Sequence, residues 1–152
     1  MRAAEFGVRV APVRIGIVLG VNGGAMRTML PVFRLGIGGT IGFGDQWMSW
    51  IQLDDLVSLI VFALQNDGIR GPVNGTAPNP VHNSEFTKTL ASMMHRPSLF
   101  PVPKFVLRAL YGEMSQIVFA SQRVMPEAAK AAGFQFATPE LHQALDRVLS
   151  QT

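Results

Sequence analysis

Apolar and polar positions alternate along the chain in a way that predicts strands and helices in turn. The run Phe6 to Leu19 is rich in β-branched residues and predicts a strand buried on both faces. The turn at residues 20–24 follows, and then a helix that Pro31 would kink or break. One apolar face of this helix is predicted from four residues at helical spacing: Met26, Met29, Leu30 and Phe33.

A second group of elements follows the glycine-rich loop at residues 36–44. Trp50 to Leu53 predicts a short extended piece, and a helix is predicted from about Asp54 to Gln65. Its inward face is predicted from spacing as Val57, Ile60, Val61 and Leu64. Residues 72–76 predict a short strand that returns to the sheet. Asn83 or Ser84 is the predicted cap of a further helix, which Arg96-Pro97 ends and whose apolar residues are Phe86, Leu90, Met93 and Met94.

The pattern beyond Pro101 is helical. Helices are predicted from Pro103 to Tyr111 and from Pro126 to Ala132. A last helix has Thr138 as its predicted N-cap and Pro139 at its first position. Its inward residues are predicted to be Leu141, Ala144, Leu145, Val148 and Leu149. The order of elements predicts an α/β fold with a mainly helical C-terminal subdomain.

Composition narrows the class of protein. The 152 residues are 48% hydrophobic and only 15% charged. This shortage of charged residues favours a chain that normally packs against additional protein. The 13 lysines and arginines are scattered, so nucleic-acid binding is not supported. No apolar run reaches the roughly 18 residues of a membrane span, and no cysteine is present for disulfides or thiolate chemistry. We therefore expect a soluble cytoplasmic protein with no membrane contact.

Two glycine patterns could approach a ligand. Gly36-x-x-Gly39-x-x-Gly42 has the spacing of a dinucleotide fingerprint, but it follows a predicted helix instead of a strand, which favours a flexible or substrate-lining loop. Gly20-x-x-Gly23-Gly24 joins a strand to a helix and could place backbone amides against an anion. A plain turn is the favoured interpretation of this second pattern.

Polar and aromatic candidates have structural explanations as well. Asp54 and Asp55 are adjacent at a helix start, which favours capping over an acid/base pair, and Gln52 would organise the same turn. Trp47 and Trp50 could stack on a ligand, although a place in the core or an interface is favoured. The histidines lie on different predicted elements, which argues against a metal site; they are His82, His95 and His142.

The box Trp50-Ile51-Gln52-Leu53-Asp54-Asp55-Leu56 carries a family resemblance. Further elements agree with it in order and spacing: Arg14-x-Gly16-x-Val18-Leu19-Gly20, Gly23-Gly24-Ala25-Met26, Gly42-x-Gly44-x-Gln46, residues 74–81, Glu85-Phe86, Arg96-Pro97, residues 122–126 and Gly133-Phe134. The chain resembles extended short-chain dehydrogenase/reductases, specifically the NAD-dependent epimerase/dehydratase branch that ends in a helical domain of unknown function, DUF1731.

Two departures from that family pattern bear on the substrate. The box usually carries His where this chain has Gln52, and Gln cannot titrate or shuttle a proton. Related sugar-nucleotide enzymes usually carry Gln-x-Arg where this chain has Gln46-Trp47-Met48. Losing that arginine removes a bidentate donor for a diphosphate, which argues against a nucleotide-diphosphate sugar as substrate.

The resemblance implies a C-terminal portion that lacks the N-terminal Rossmann half. Residues 1–100 would be the last strands of a partial Rossmann-type parallel sheet with substrate-side loops, and residues 101–152 the helical DUF1731-like domain. No Tyr-x-x-x-Lys pair occurs, because Ser115 stands four residues after the single tyrosine, Tyr111. The resemblance thus leaves open whether this chain is an enzyme, and it implies no catalytic residue and no metal ligand here.

The same resemblance supplies site and partner expectations. NAD or NADP would bind the full-length family protein, with none expected for the isolated chain. The residues at the nicotinamide end would be Ile15, Gly16 and Ile17. The residues lining an unknown small-molecule substrate would be Gly23, Gly24, Met26, Gln46, Trp47 and Trp50. The partner would be the missing half or, in an alternative reading as a non-catalytic assembly module, a second copy of the chain.

Overall fold

The computed structural model describes residues 2–21, 23–98, 101–102 and 121–152. The predicted helix from Pro103 to Tyr111, with Tyr111 and Ser115, lies outside the described residues. The described strands are β1 (Val13–Ile15), β2 (Ile17–Leu19), β3 (Trp47–Met48), β4 (Trp50–Gln52), β5 (Val73–Gly75) and β6 (Val81–His82). The helices are α1 (Arg2–Glu5), α2 (Gly24–Arg34), α3 (Leu53–Gln65), α4 (Asn83–Met93), α5 (Glu127–Ala131) and α6 (Leu141–Leu149).

A bent strand made of β1 and β2 organises the sheet. β1 pairs in parallel with β5, with Val13 opposite Val73, and β2 pairs in parallel with β4, with Ile17 opposite Trp50. Gly16 lies between the two ladders. β3 and β6 form a separate antiparallel pair. This mixed α/β architecture with small parallel sheets confirms the predicted fold class.

The first predicted strand is only half right. Its ladder covers Val13 to Leu19, whereas Phe6 and Val8 are 81% and 57% exposed and follow a short helix. Burial on both faces is also wrong, since Ile15 is 54% exposed. Arg9 holds this N-terminal segment to α3 by donating hydrogen bonds to the carbonyls of Ala63 (2.8 Å) and Leu64 (2.7 Å).

Two apolar cores lie on opposite faces of β4, because Trp50 enters one and its neighbour Ile51 the other. The first core joins α2, β2, α4 and α6; its main side chains are Leu19, Met26, Phe33, Trp50, Phe86, Leu141 and Leu145. The second core joins α3, β5 and α5; its main side chains are Ile51, Leu56, Leu59, Val73, Ala129 and Phe134. Both cores thus contain residues from each end of the chain.

The predicted inward face of α3 is wrong. Leu56, Leu59 and Ala63 are the apolar residues that α3 buries. The residues predicted to face inward are exposed: Val57 53%, Ile60 36%, Val61 45% and Leu64 70%. The helix boundaries, by contrast, are as predicted.

Both predicted helix caps are wrong. α4 begins at Asn83 itself, whose Oδ1 accepts from the Ile41 backbone N–H at 2.7 Å. α6 begins at Leu141, three residues after Thr138, so Pro139 is not its first residue. α2 continues through Pro31 to Arg34 and buries Met26, Leu30 and Phe33 as predicted.

Within the ranges just given, none of the helices has the length and apolar content needed to cross a bilayer.

Candidate functional site

Gly16 marks the point where the bent strand changes partner. Its N–H donates to Gly75 O at 3.1 Å, and the next N–H, of Ile17, donates to Ser49 O at 2.8 Å. A Cβ added to Gly16 would collide with the Ser49 carbonyl and lie 2.9 Å from Cγ2 of Thr76. A close backbone approach within the fold therefore explains this glycine without reference to a cofactor.

The turn after β2 has the strand-to-helix context that its sequence predicts. β2 ends at Leu19, Gly23 is the extended N-cap of α2, and Gly24 has a φ of +62°. Met26, on the first turn of α2, is fully buried in the first core. Of the three residues predicted here to line a substrate, Gly23 ends the turn, Gly24 begins α2 and Met26 is a core residue.

Trp50 is also a core residue. Its side chain is fully buried, and its indole N–H donates to Asn79 O at 3.0 Å. It lies opposite Ile17 in the β2–β4 ladder, so the structure does bring part of the predicted cofactor strand beside a predicted substrate residue. This position agrees with the favoured core interpretation of its sequence.

Gln46 and Trp47 lie instead beside the start of α4. The Gln46 amide donates to Ile41 O at 2.9 Å, which braces the preceding glycine loop. The Trp47 ring stacks on His82 with centroids 3.9 Å apart, and the Arg123 guanidinium lies 5.0 Å from the same ring. Both side chains are thus engaged with neighbouring protein groups.

The Trp50 to Asp55 box builds the start of α3. Gln52 is the N-cap: its side-chain oxygen accepts from the Asp54 N–H and, at 3.2 Å, from the Asp55 N–H. The prediction that Gln52 organises this turn is confirmed. Asp54 is exposed and lies 3.6 Å from Arg147.

Asp55 has a role that the sequence did not reveal. Its carboxylate is buried and accepts from Ala137 N (2.8 Å), Thr138 N (2.9 Å) and Thr138 Oγ1 (2.7 Å). The two aspartates thus point to different partners. Neither is the N-cap of α3, so the capping role predicted for them is wrong.

A cleft of about 490 Å³ lies between α4, the start of α6 and the segment around Arg123. Its polar lining is Asn79, Glu85, Thr89, Arg123, Glu140 and His142. None of the predicted cofactor or substrate residues lines it. Asn79 and Arg123 fall in motifs that carry the family resemblance, which was the signal available in the sequence. No set of three or more His, Asp or Glu side chains in the described ranges could hold a metal ion.

Comparison with known proteins shows what this chain is similar to. Residues 102–148 match the family profile described as a domain of unknown function, DUF1731. The chain is 49% identical over 142 residues to the chloroplastic epimerase family protein SDR39U1 homolog of Arabidopsis thaliana, covering 93% of this chain and 41% of the relative. It is 42% identical to the epimerase family protein YfhF of Bacillus subtilis, covering 95% of this chain and 47% of the relative.

The fold agrees with the sequence. A crystal structure of human epimerase family protein SDR39U1 (isoform 2) with NADPH matches with a TM-score of 0.90 and 38% identity, covering 95% of this chain and 50% of the human one. This chain is homologous to the C-terminal part of epimerase family proteins. It spans about half the length of the curated relatives that it matches.

Proposed function

We propose that this chain is the C-terminal, substrate-side part of an NAD(P)-dependent epimerase/dehydratase-like oxidoreductase, inactive alone and located in the cytoplasm. The catalytic tyrosine and lysine that the family resemblance implies would come from a Rossmann half. This chain would supply the last sheet strands, the substrate-side loops and the helical end.

The outer face of α3 is the observation that carries this proposal. It consists of five apolar side chains, each between 36% and 70% exposed: Leu53, Val57, Ile60, Val61 and Leu64. They recur at helical spacing along 12 residues, so they form one stripe. A contiguous apolar stripe of this kind marks an interaction surface, because leaving it in water is costly.

The sheet supports the same conclusion. In the described part of the chain, β1 pairs only with β5 and β2 only with β4, so each strand is at the edge of its ladder. Ile15, at the end of β1, is 54% exposed. An unpaired strand edge is a template for a further strand. A Rossmann half would cover both the strand edge and the α3 stripe.

The cofactor assignment draws on the human relative, which was solved with NADPH. We propose that the completed protein binds NAD or NADP, with Ile15, Gly16 and Ile17 at the nicotinamide end. Four of the residues predicted to line the substrate would lie beside it: Gly23, Gly24, Gln46 and Trp47. The other two, Met26 and Trp50, would support these residues from the core. The substrate is an unidentified small molecule.

A second candidate uses the same α3 stripe. The chain would be a non-catalytic assembly module in which two copies bury their α3 stripes against each other. Self-association would then bury the exposed apolar surface, and no cofactor would be needed.

Reconstitution distinguishes these functions. The chain is mixed with the N-terminal half of the Bacillus subtilis relative, and NADPH and NADH binding is measured by calorimetry. We expect binding by the mixture and none by either half alone. A double variant, Val57→Glu with Leu64→Lys, should abolish complex formation, whereas Phe43→Asp, which changes a side chain 95% exposed on the glycine loop, should not. A mixture that forms no complex, or a complex that binds neither nucleotide, would contradict the proposal.

A further inference from the structure

Side chains from the sheet hold the backbone of residues 121–125 at several points. The Ser49 hydroxyl donates to Gln122 O at 2.7 Å and accepts from Val124 N at 2.9 Å. The Asn74 amide donates to Met125 O at 2.9 Å. Residues 122–125 are thus attached to the β3–β4 connection through Ser49 and to β5 through Asn74.

Asp55 makes a second attachment farther along the same segment. It is 2% exposed, and its two oxygens accept the three hydrogen bonds from Ala137 and Thr138. Charge-assisted hydrogen bonds of this kind are stronger than neutral ones, and a buried carboxylate deprived of its donors is strongly disfavoured. Asp55 therefore ties the start of α3 to the chain just before α6.

Apolar contacts place the two ends of this segment on opposite faces of the sheet. Ala129 and Phe134, around α5, pack in the second core with Ile51 and Leu59. Leu141 and Leu145, on α6, pack in the first core with Trp50. The crossing from one face to the other falls at residues 137–138, where Asp55 binds.

We propose that residues 121–149, which include residues 121–148 of the DUF1731 match, function as a clamp around the sheet and that Asp55 is its positioning residue. The segment is then an integral part of the fold that the earlier strands begin. Its role is to close both cores and to fix one side of the cleft.

The cleft shows what the clamp controls. One wall comes from the body, with Asn79 and Glu85, and the other from the clamp, with Arg123 and His142. Ser49 fixes the backbone on either side of Arg123. Releasing the segment at Asp55 would therefore separate the walls, although none of the residues lining the cleft is changed.

Amide hydrogen exchange followed by NMR on the full chain tests the proposal. We expect Asp55→Asn to speed exchange of the Ala137 and Thr138 amides by about tenfold or more, because one accepting oxygen is replaced by a donor. The Val73 amide, bonded to Pro12 O at 2.9 Å in the body of the sheet, should keep its rate. Asp67→Asn is the matched control, since Asp67 is 99% exposed and its contact, with Arg9 at 3.6 Å, lies in the body, and it should leave all three rates unchanged.

Two further variants keep the test decisive if Asp55→Asn does not fold. Thr138→Val removes one donor to Asp55 and should speed exchange at Ala137 and Thr138 alone. Ser49→Ala removes the acceptor of the Val124 amide and should speed exchange of that amide. It should also weaken the contact between Arg123 and the Trp47 ring, which a change in the indole chemical shifts would show. Equal acceleration of every amide, or unchanged rates at residues 124, 137 and 138, would overturn the clamp.

Discussion

Close contacts around single residues in this chain decide which substitutions each position tolerates. Gly16 is the point where one strand exchanges β5 for β4, and the Ser49 carbonyl and the Thr76 methyl close the space beside it. A side chain there disturbs two ladders at once. Loss of cofactor binding in a Gly16 variant would thus not by itself show that the nicotinamide lies beside Gly16, because the variant also disturbs the fold.

We expect Gly16→Ala to lower the free energy of unfolding by about 1–3 kcal/mol, the usual cost of forcing extra volume into a packed site. Urea denaturation measures this in the absence of any nucleotide. Gly23→Ser is the control, because a Cβ there meets nothing within 4 Å and serine is a favoured N-cap. An unchanged midpoint for Gly16→Ala would show that the strand can shift.

Gln52 is the residue whose role is easiest to test. Gln52→Ala removes the acceptor for the Asp54 and Asp55 amides, so we expect a loss of about 0.5–2 kcal/mol in stability. Gln65→Ala, at the other end of α3, should have a much smaller effect. Equal losses for the two variants, measured by thermal denaturation, would rule out the capping explanation.

The sequence predicts the role of Gln52 but not the partner of Asp55, and sequence separation explains the difference. The groups that Gln52 binds lie two and three residues away, within reach of a local pattern. Those that Asp55 binds lie 82 and 83 residues away. Periodicity and capping rules describe only local geometry, so for a carboxylate at a helix start they predict a role in that helix alone.

At the scale of elements, α3 shows where hydrophobic periodicity stops being informative. Its bounds are predicted because polar residues flank an apolar run, but that run is apolar on nearly all sides. Spacing alone then gives two candidate faces, Val57-Ile60-Val61-Leu64 and Leu56-Leu59-Ala63, and only the second is buried in the structure. A helix that is apolar all round is typical of one packed on two sides.

The two faces of α3 should respond oppositely to truncation. Leu59→Ala removes a fully buried side chain and is expected to cost about 2–5 kcal/mol. Leu64→Ala changes a side chain that is 70% exposed and should stay within about 0.5 kcal/mol. Denaturation of the isolated chain measures both losses of stability. A larger loss for Leu64→Ala than for Leu59→Ala would show that the face predicted from the sequence is the buried one.

For the whole molecule, the order of strands and helices was enough to predict an α/β fold, because strands separated by helices favour parallel pairing. The division near residue 100 follows from a change of pattern along the chain. The cores do not follow that change, since α5 and α6 pack on opposite faces of a sheet formed earlier in the chain. Packing between elements that lie far apart in the sequence produces no periodic pattern along the chain.

The last prediction concerns the assembly state of the isolated chain. The α3 stripe should drive reversible self-association, so sedimentation velocity should show a weight-average mass that rises with concentration. Val57→Glu with Leu64→Lys places a negative charge near the start of α3 and a positive charge near its end, where the helix dipole favours them. This double variant should sediment as one monomer, while Phe43→Asp should still associate. A wild-type chain that stays monomeric at every concentration would show that the stripe alone does not drive association.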